Sequence, residues 1–268
     1  MVESASPVPA LSVRNLTVRY GGNVAVNDVT LGGSIGQITG LIGPNGAGKT
    51  TIINTCNGLL RPAGGAVTLF GEDVTRLRPA RRARRGLGRT FQRLELCDSM
   101  TARENIALGA EARLSGDSPF RQFFSTRAQN QRLQAACDEA IEVCGLHGVS
   151  ARPAGILSTG QRRLVELARA MAGGYTMLLL DEPSSGLDHS ESEEFGRILR
   201  SLVGNGVGIL LVEHDMALVM SVCDYIYVLD FGALIFEGTP SETQASDIVR
   251  AAYLGSETEF ALASEGGA

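Results

Sequence analysis

Apolar and polar residues alternate from Leu11 to Tyr20 and again from Val24 to Leu31, on either side of Gly21-Gly22. A period of two broken by a glycine pair predicts an antiparallel hairpin, and Val67 to Phe70 reads as a further strand of the same sheet. Three other apolar runs do not alternate: Gln37 to Ile42, Tyr175 to Leu180 and Val207 to Val212. Short continuous runs of this kind predict strands covered on both faces. Lys49 to Asn57 has no breaker before Gly58, and Phe195, Ile198, Leu199 and Leu202 recur at helical spacing between two of the runs. Strands alternating with helices imply a parallel sheet, with ligands held at the ends of its strands.

Between these parts the period changes. Thr101 and Glu104 form a capping box ahead of Ile106, Ala107 and Leu108. After a break at Ser115 to Pro119, Leu133, Cys137, Ala140, Ile141 and Cys144 follow helical spacing up to Gly145. Residues from about 93 to 157 therefore read as a mostly helical insertion. Tyr225 to Leu229 and Ala233 to Glu237 read as a last hairpin, and residues 1–10 and 256–268 as loose tails.

A hydrophobic content of 44% with 20% charged residues over 268 residues describes a globular chain with ample length for a core. Its longest apolar runs fall far short of the ~20 residues that cross a bilayer, and Met1 to Ala10 lacks the basic and apolar regions of a signal peptide. Five scattered cysteines (Cys56, Cys97, Cys137, Cys144, Cys223), with no C-x-x-C pair, read as buried or free thiols in a reducing compartment. Charge is uneven. Eight arginines and no acid lie between Arg76 and Arg93, so the remainder carries −13 to reach the net −5. That stretch reads either as a solvated helix and loop face or as a face toward anionic lipid or an acidic partner segment.

Lys49 is the only lysine in the chain, and it stands in Gly43-Pro44-Asn45-Gly46-Ala47-Gly48-Lys49-Thr50-Thr51. The run fits G-x-x-x-x-G-K-[ST], in which backbone amides cradle phosphates, a compact ammonium reaches the β- and γ-phosphates, and the Thr50 hydroxyl binds Mg²⁺. A strand before it and a helix after it are the setting the motif requires. The run at Tyr175 to Leu180 delivers Asp181 and Glu182 to one sheet edge. Neighbouring strand residues face opposite ways, so the two are expected to differ in duty, Asp181 toward Mg²⁺ and Glu182 toward an attacking water. His214, at the end of the next run, is placed to reach the γ-phosphate or that water. His147 and His189 read as structural. Ser158, in Leu157-Ser158-Thr159-Gly160-Gln161, is positioned to cap a helix striped by Leu164, Leu167, Ala168 and Met171, whose exposed amides suit an anion.

The phosphate loop, Gln92 within Arg89-Thr90-Phe91-Gln92, the LSTGQ run, MLLLDEP, Ser185-Gly186-Leu187-Asp188 and His214 resemble, in order and spacing, the ATP-binding cassette (ABC) ATPases over about residues 10–255. The resemblance implies an α/β P-loop NTPase (RecA-like) core with an N-terminal antiparallel β subdomain and an inserted α-helical subdomain, the cassette occupying residues 11–255. It implies ATP and Mg²⁺ as ligands. Tyr20 matches the residue that stacks on adenine, and Gln92 the glutamine that contacts Mg²⁺ or the attacking water and reports to the membrane partner. Ser158, Thr159, Gly160 and Gln161 match the signature that grips the γ-phosphate held by the opposite subunit. Asp181, Glu182, Asp188 and His214 match the metal, base, dimer-crosstalk and switch residues.

The implied partners are a second cassette, identical or paralogous, transmembrane permease subunits at the cytoplasmic face of the membrane and, through them, a solute-binding protein; nucleic acid is not among them. Two positions depart from the pattern: Thr159 stands where glycine is usual and Gly186 where alanine is usual. The first is expected to weaken the γ-phosphate grip and the second to loosen the crosstalk loop. Gly88 to Gln92, the insertion with Arg127 to Leu146, Glu213 to Met216 followed by Leu218-Val219-Met220, and the ending Glu237-Gly238-Thr239-Pro240 then Ala252-Tyr253-Leu254-Gly255 look most like ATPases of branched-chain or hydrophobic amino-acid importers. Urea and amide importers and lipopolysaccharide-export ATPases share much of this pattern, and a soluble non-transport cassette is the more distant alternative.

Overall fold

The computed structural model describes residues 9–90, 96–114 and 127–253. Strands β1 (Leu11–Tyr20) and β2 (Asn23–Gly33) pair antiparallel, as their alternation predicts. After β3 (Ile38–Ile42) and helix α1 (Lys49–Asn57), β4 (Gly64–Leu69) returns to the other edge of β1, and the short β5 (Glu72–Asp73) completes a four-stranded sheet in the order β2-β1-β4-β5. The chain then makes α2 (Pro79–Ala83), β6 (Leu87–Arg89), α3 (Ala102–Leu114), α4 (Arg127–Val143) and α5 (Thr159–Ala172). It continues through β7 (Met177–Asp181), α6 (His189–Gly204), β8 (Gly208–Val212), α7 (Met216–Val222), β9 (Tyr225–Asp230), β10 (Ala233–Gly238), α8 (Pro240–Ala245) and α9 (Asp247–Tyr253).

The second sheet has the order β10-β9-β3-β8-β7-β6. Its pairs β9-β3, β3-β8, β8-β7 and β7-β6 are parallel, and β10 closes one edge antiparallel. Both faces of this sheet are covered, which is why its strands read as unbroken apolar runs. Met177 and Leu179 of β7 pack with α1 and the four-stranded sheet, whereas Leu178 and Leu180 pack with the helices on the other side. β8 divides the same way, with Leu210 and Val212 on one side and Ile209 and Leu211 on the other. The chain is thus a P-loop type α/β fold with an antiparallel sheet on one face and helices on the other.

The basic stretch is only partly a surface. Arg76, Arg78, Arg81 and Arg84 are exposed, but Arg82 is fully buried. Its guanidinium donates to the carbonyls of Thr55 and Cys56 (2.7 Å each) in the last turn of α1, and to Leu77 (3.1 Å) and Thr75 (2.9 Å). Gly58, left-handed at the end of α1, leaves the room: a Cβ there would stand 2.8 Å from Arg82 Nε. Arg82 is therefore a C-terminal cap for the helix that follows the phosphate loop. Replacing it by methionine leaves buried carbonyls unpaired and is expected to cost about 3–5 kcal/mol, read from urea unfolding, whereas Arg81→Met should stay within about 0.5 kcal/mol. Equal effects from the two would remove the capping role.

Four of the five cysteines are buried, and burial pushes the thiols of Cys56, Cys144 and Cys223 up to about 12. They are inert packing residues. No helix of the described residues is long and apolar enough to cross a membrane.

Candidate functional site

Three neighbouring parallel strands end together. β3 runs into the phosphate loop, β7 ends at Asp181 and β8 is followed by Glu213-His214. Gly43, Gly46 and Gly48 of the loop all have positive φ (147°, 85° and 101°). Two of them are also held by close backbone approach. A Cβ on Gly43 would stand 2.2 Å from the Leu229 carbonyl oxygen, and one on Gly48 would stand 2.8 Å from that of Ala25. Pro44 is half-buried, Asn45 and Thr50 are exposed, and Ala47 is buried. Helix α1 starts with no side-chain cap and no acid in its first turn, so its leading amides and positive dipole end are left for an anion. Lys49 is buried and donates to the carbonyls of Gly43 (2.6 Å) and Pro44 (3.0 Å), which fixes the ammonium against the loop.

Asp181 is buried, and one of its oxygens, Oδ2, pairs with Arg89 Nη2 at 3.2 Å. Arg89 Nη1 in turn donates to Asn54 Oδ1 on α1 at 2.6 Å, so one guanidinium ties β6, β7 and the helix after the phosphate loop together. Oδ1 of Asp181 is buried and takes no hydrogen bond among the described residues. Burial raises the Asp181 pKa; Arg89 and Lys49 lower it and Glu182 raises it. Burial thus outweighs the two nearby cations, and the buried Oδ1 fits a cation that would favour the charged form. Among the described residues no cluster of three or more His, Cys, Asp and Glu can hold a metal. A cation with one carboxylate and a hydroxyl must complete its shell from phosphate oxygens and water, as Mg²⁺ does.

Glu182 is not on the opposite face of the strand, as its place in the sequence suggested. β7 stops one residue earlier, and Glu182 adopts φ 50°, with its amide donating to Val212 O at 2.8 Å. Divergence from Asp181 comes from this left-handed step and not from the pleat, and a strained non-glycine residue at a strand end is a common mark of a working site. Glu213, which the sequence did not single out, is fully buried. Its carboxylate accepts from Ser184 N (2.8 Å), Ser184 Oγ (2.7 Å) and His214 N (3.1 Å), stitching the segment after β7 to the one after β8. The signal was an acid directly after a buried apolar run, masked by the histidine beside it. His214 is half-exposed, with Nδ1 3.7 Å from Glu213 Oε2. His147 and His189 sit on the surface beside Glu142 (2.6 Å) and Glu193 (3.4 Å).

A second group gathers at the starts of α5 and α6. Ser158 caps α5 in a reciprocal box with Gln161 (3.2 Å both ways), and Asp188 caps α6 through Glu191 N (2.8 Å). The amide of Glu191 and the hydroxyl of Ser190 hold the Asp188 carboxyl below its usual range. A Cβ on Gly160 would meet Glu191 Oε1 at 2.4 Å, and one on Gly186 would meet the Thr159 methyl at 3.2 Å. The two departures from the family pattern therefore face each other. The Thr159 methyl lies over Gly186, against the space a larger residue there would take. Tyr20, at the end of β1, is 51% exposed. Gln92 lies outside the described residues.

The family model described as ABC transporter matches residues 26–185. The chain is similar to the high-affinity branched-chain amino acid transport ATP-binding protein BraF of Pseudomonas aeruginosa, with 40% identity over 92% of this chain and 98% of the relative. It is also similar to LivG of Escherichia coli, which carries the same description, with 38% identity and the same coverage. Among solved structures, the ADP conformation of MJ1267, an ATP-binding cassette of an ABC transporter, superposes with a TM-score of 0.81 at 29% identity, covering 92% of this chain and 99% of that one.

Proposed function

Because the chain belongs to the ABC transporter family, we propose that it is the ATP-binding and hydrolysing subunit that powers an importer of branched-chain or hydrophobic amino acids. The observation that carries the chemistry is the common ending of β3, β7 and β8, which sets a glycine loop with uncapped helix amides beside a buried carboxylate oxygen that takes no hydrogen bond among the described residues. Residues 11–255 form the cassette and about 93–157 its helical insertion. Two cassettes, identical or paralogous, work head to tail at the cytoplasmic face of the membrane against permease subunits that receive solute from a binding protein.

In this reading the amides of Gly43 to Thr51 and the Lys49 ammonium hold the phosphates, and Tyr20 stacks on the base. Thr50 and Asp181, with Gln92, would hold Mg²⁺, which would supply neutralisation of phosphate charge when bound. Glu182 orients the attacking water and takes its proton, while His214, the switch residue, reaches the γ-phosphate or that water. Ser158 to Gln161 present α5 to the γ-phosphate of the other subunit's nucleotide, and Asp188 lies at the subunit contact. Glu213 ties Ser184, two residues after Glu182, to the backbone of His214.

The test is uptake of radiolabelled leucine, isoleucine and valine in cells deleted for this gene. Restoration by the wild-type chain but not by Glu182→Gln is expected. Unchanged uptake of all three after deletion would sink the amino-acid assignment, and uptake restored equally by the variant would sink the ATP coupling.

A further inference from the structure

The turn between β9 and β10 is two residues long, Phe231 and Gly232, both left-handed at φ 43° and 79°. Such turns favour Asn, Asp or Gly at the first place, and a bulky ring there is an outlier. Phe231 is also 92% exposed. An apolar ring held in water on an unfavourable backbone does not stabilise the folded chain, so its use lies with something that covers it.

Its location identifies that occupant. β9 lies next to β3 and parallel to it, so this turn emerges at the same sheet edge as the phosphate loop. Gly232 donates its amide to Ala47 O in that loop at 3.1 Å and accepts from Asn27 N of β2 at 2.8 Å. A Cβ on Gly232 would stand 2.7 Å from Ala25 O. The turn is therefore wedged between the phosphate loop and β2, the strand whose first residue, Asn23, pairs with Tyr20. Two exposed aromatic residues, Tyr20 and Phe231, thus stand at the ends of elements that Ala25 to Asn27 of β2 joins to the phosphate loop.

We propose that Phe231 supplies a second aromatic surface for the nucleoside half of the bound nucleotide, complementing Tyr20. The inference rests on the ATP-binding reading and assigns selectivity for a base, as opposed to phosphate, to this turn.

The chain contains no tryptophan, so Phe231→Trp creates a single fluorescent reporter. Saturable change in its emission with Mg-ATP, independent of protein concentration, is expected. Inorganic tripolyphosphate should compete for the loop without reproducing that change. Phe231→Ala should bind Mg-ATP about 3- to 10-fold more weakly, with tripolyphosphate affinity unchanged, and Phe231→Tyr should recover most of the loss. Radiolabelled ATP retained on a filter with no change in tryptophan emission would overturn the proposal. So would an equal response to tripolyphosphate, or a response that grows with protein concentration and so marks a second copy as the occupant. Absence of ATP retention by the wild-type chain would remove the ATP-binding reading itself and this assignment with it.

Discussion

With Glu182 as the proposed general base, Glu182→Gln is expected to stop ATP turnover and to leave the nucleotide bound. The amide keeps the size of the carboxylate and its capacity to accept one hydrogen bond from water, but it cannot take the proton that must leave as water attacks. The backbone that places it is independent of the side chain, since the left-handed step at Glu182 is held by its own amide on Val212 O. Loss of a positioned general base costs about 10²–10⁴ in rate, measured as phosphate release at saturating Mg-ATP. Gel filtration of the same variant with radiolabelled ATP should show retained nucleotide in a species larger than the single chain. Turnover within a few-fold of wild type would remove Glu182 from the chemistry and leave His214 or a residue outside the described segments to activate water.

Gly43→Ala is expected to destroy nucleotide binding and much of the stability, whereas Gly46→Ala, three residues away in the same motif, is expected to be mild. Both glycines have positive φ, so each substitution carries the ~1–2 kcal/mol of a left-handed L-residue. The difference is in their surroundings. Nothing lies within 4 Å of a Cβ on Gly46, but a Cβ on Gly43 would be 2.2 Å from the Leu229 carbonyl oxygen, which belongs to the strand beside β3. That oxygen is backbone near the end of β9, one residue past the Ile42–Val228 pair and on a residue paired with Leu234 of β10, so it cannot yield without disturbing the sheet there. The Gly43 change should therefore cost at least ~4 kcal/mol, visible as a large fall in thermal midpoint, together with loss of filter-retained ATP. Gly46→Ala should stay folded and keep measurable binding. Equal outcomes for both would mean that the loop relaxes away from Leu229 and that the close approach has no energetic weight.

The sheet that carries the site was legible because its strands are buried on both faces and so become unbroken apolar runs, as at Met177–Asp181 and Gly208–Val212. The first hairpin was legible for the opposite reason, alternation with one face wet. Strand order was not. β3 lies between β8 and β9, and nothing local in Ile38–Ile42 says which later strands will flank it. Tyr225 to Leu229 read as half of a last hairpin, which forms, but its parallel pairing with β3 was not legible, because pairing is settled by which edges remain open in three dimensions. The P-loop glycines and Lys49 could be named from spacing, since that motif is continuous in the chain, and Asp181 from its place at the end of a buried apolar run downstream of it. Arg82, Arg89, Asn54 and Glu213 could not, for each acts on a partner distant in sequence. Arg82 was further hidden among seven other arginines of the same stretch, since nothing local in the sequence separates it from exposed neighbours such as Arg81 and Arg84.

The order β10-β9-β3-β8-β7-β6 also dictates when this molecule can take shape during synthesis. β1, β2 and β4 are all encoded before residue 70, so the outer sheet can close while the chain is still short. β3 is made at the same time, but its two neighbours begin only at Gly208 and Tyr225. At ~5–20 residues per second the wait is on the order of 10–30 s, and throughout it the amides and carbonyls of Ile38–Ile42 lack their final partners. A ribosome halted within α6 would carry a finished antiparallel sheet joined to a nucleotide loop with no settled form.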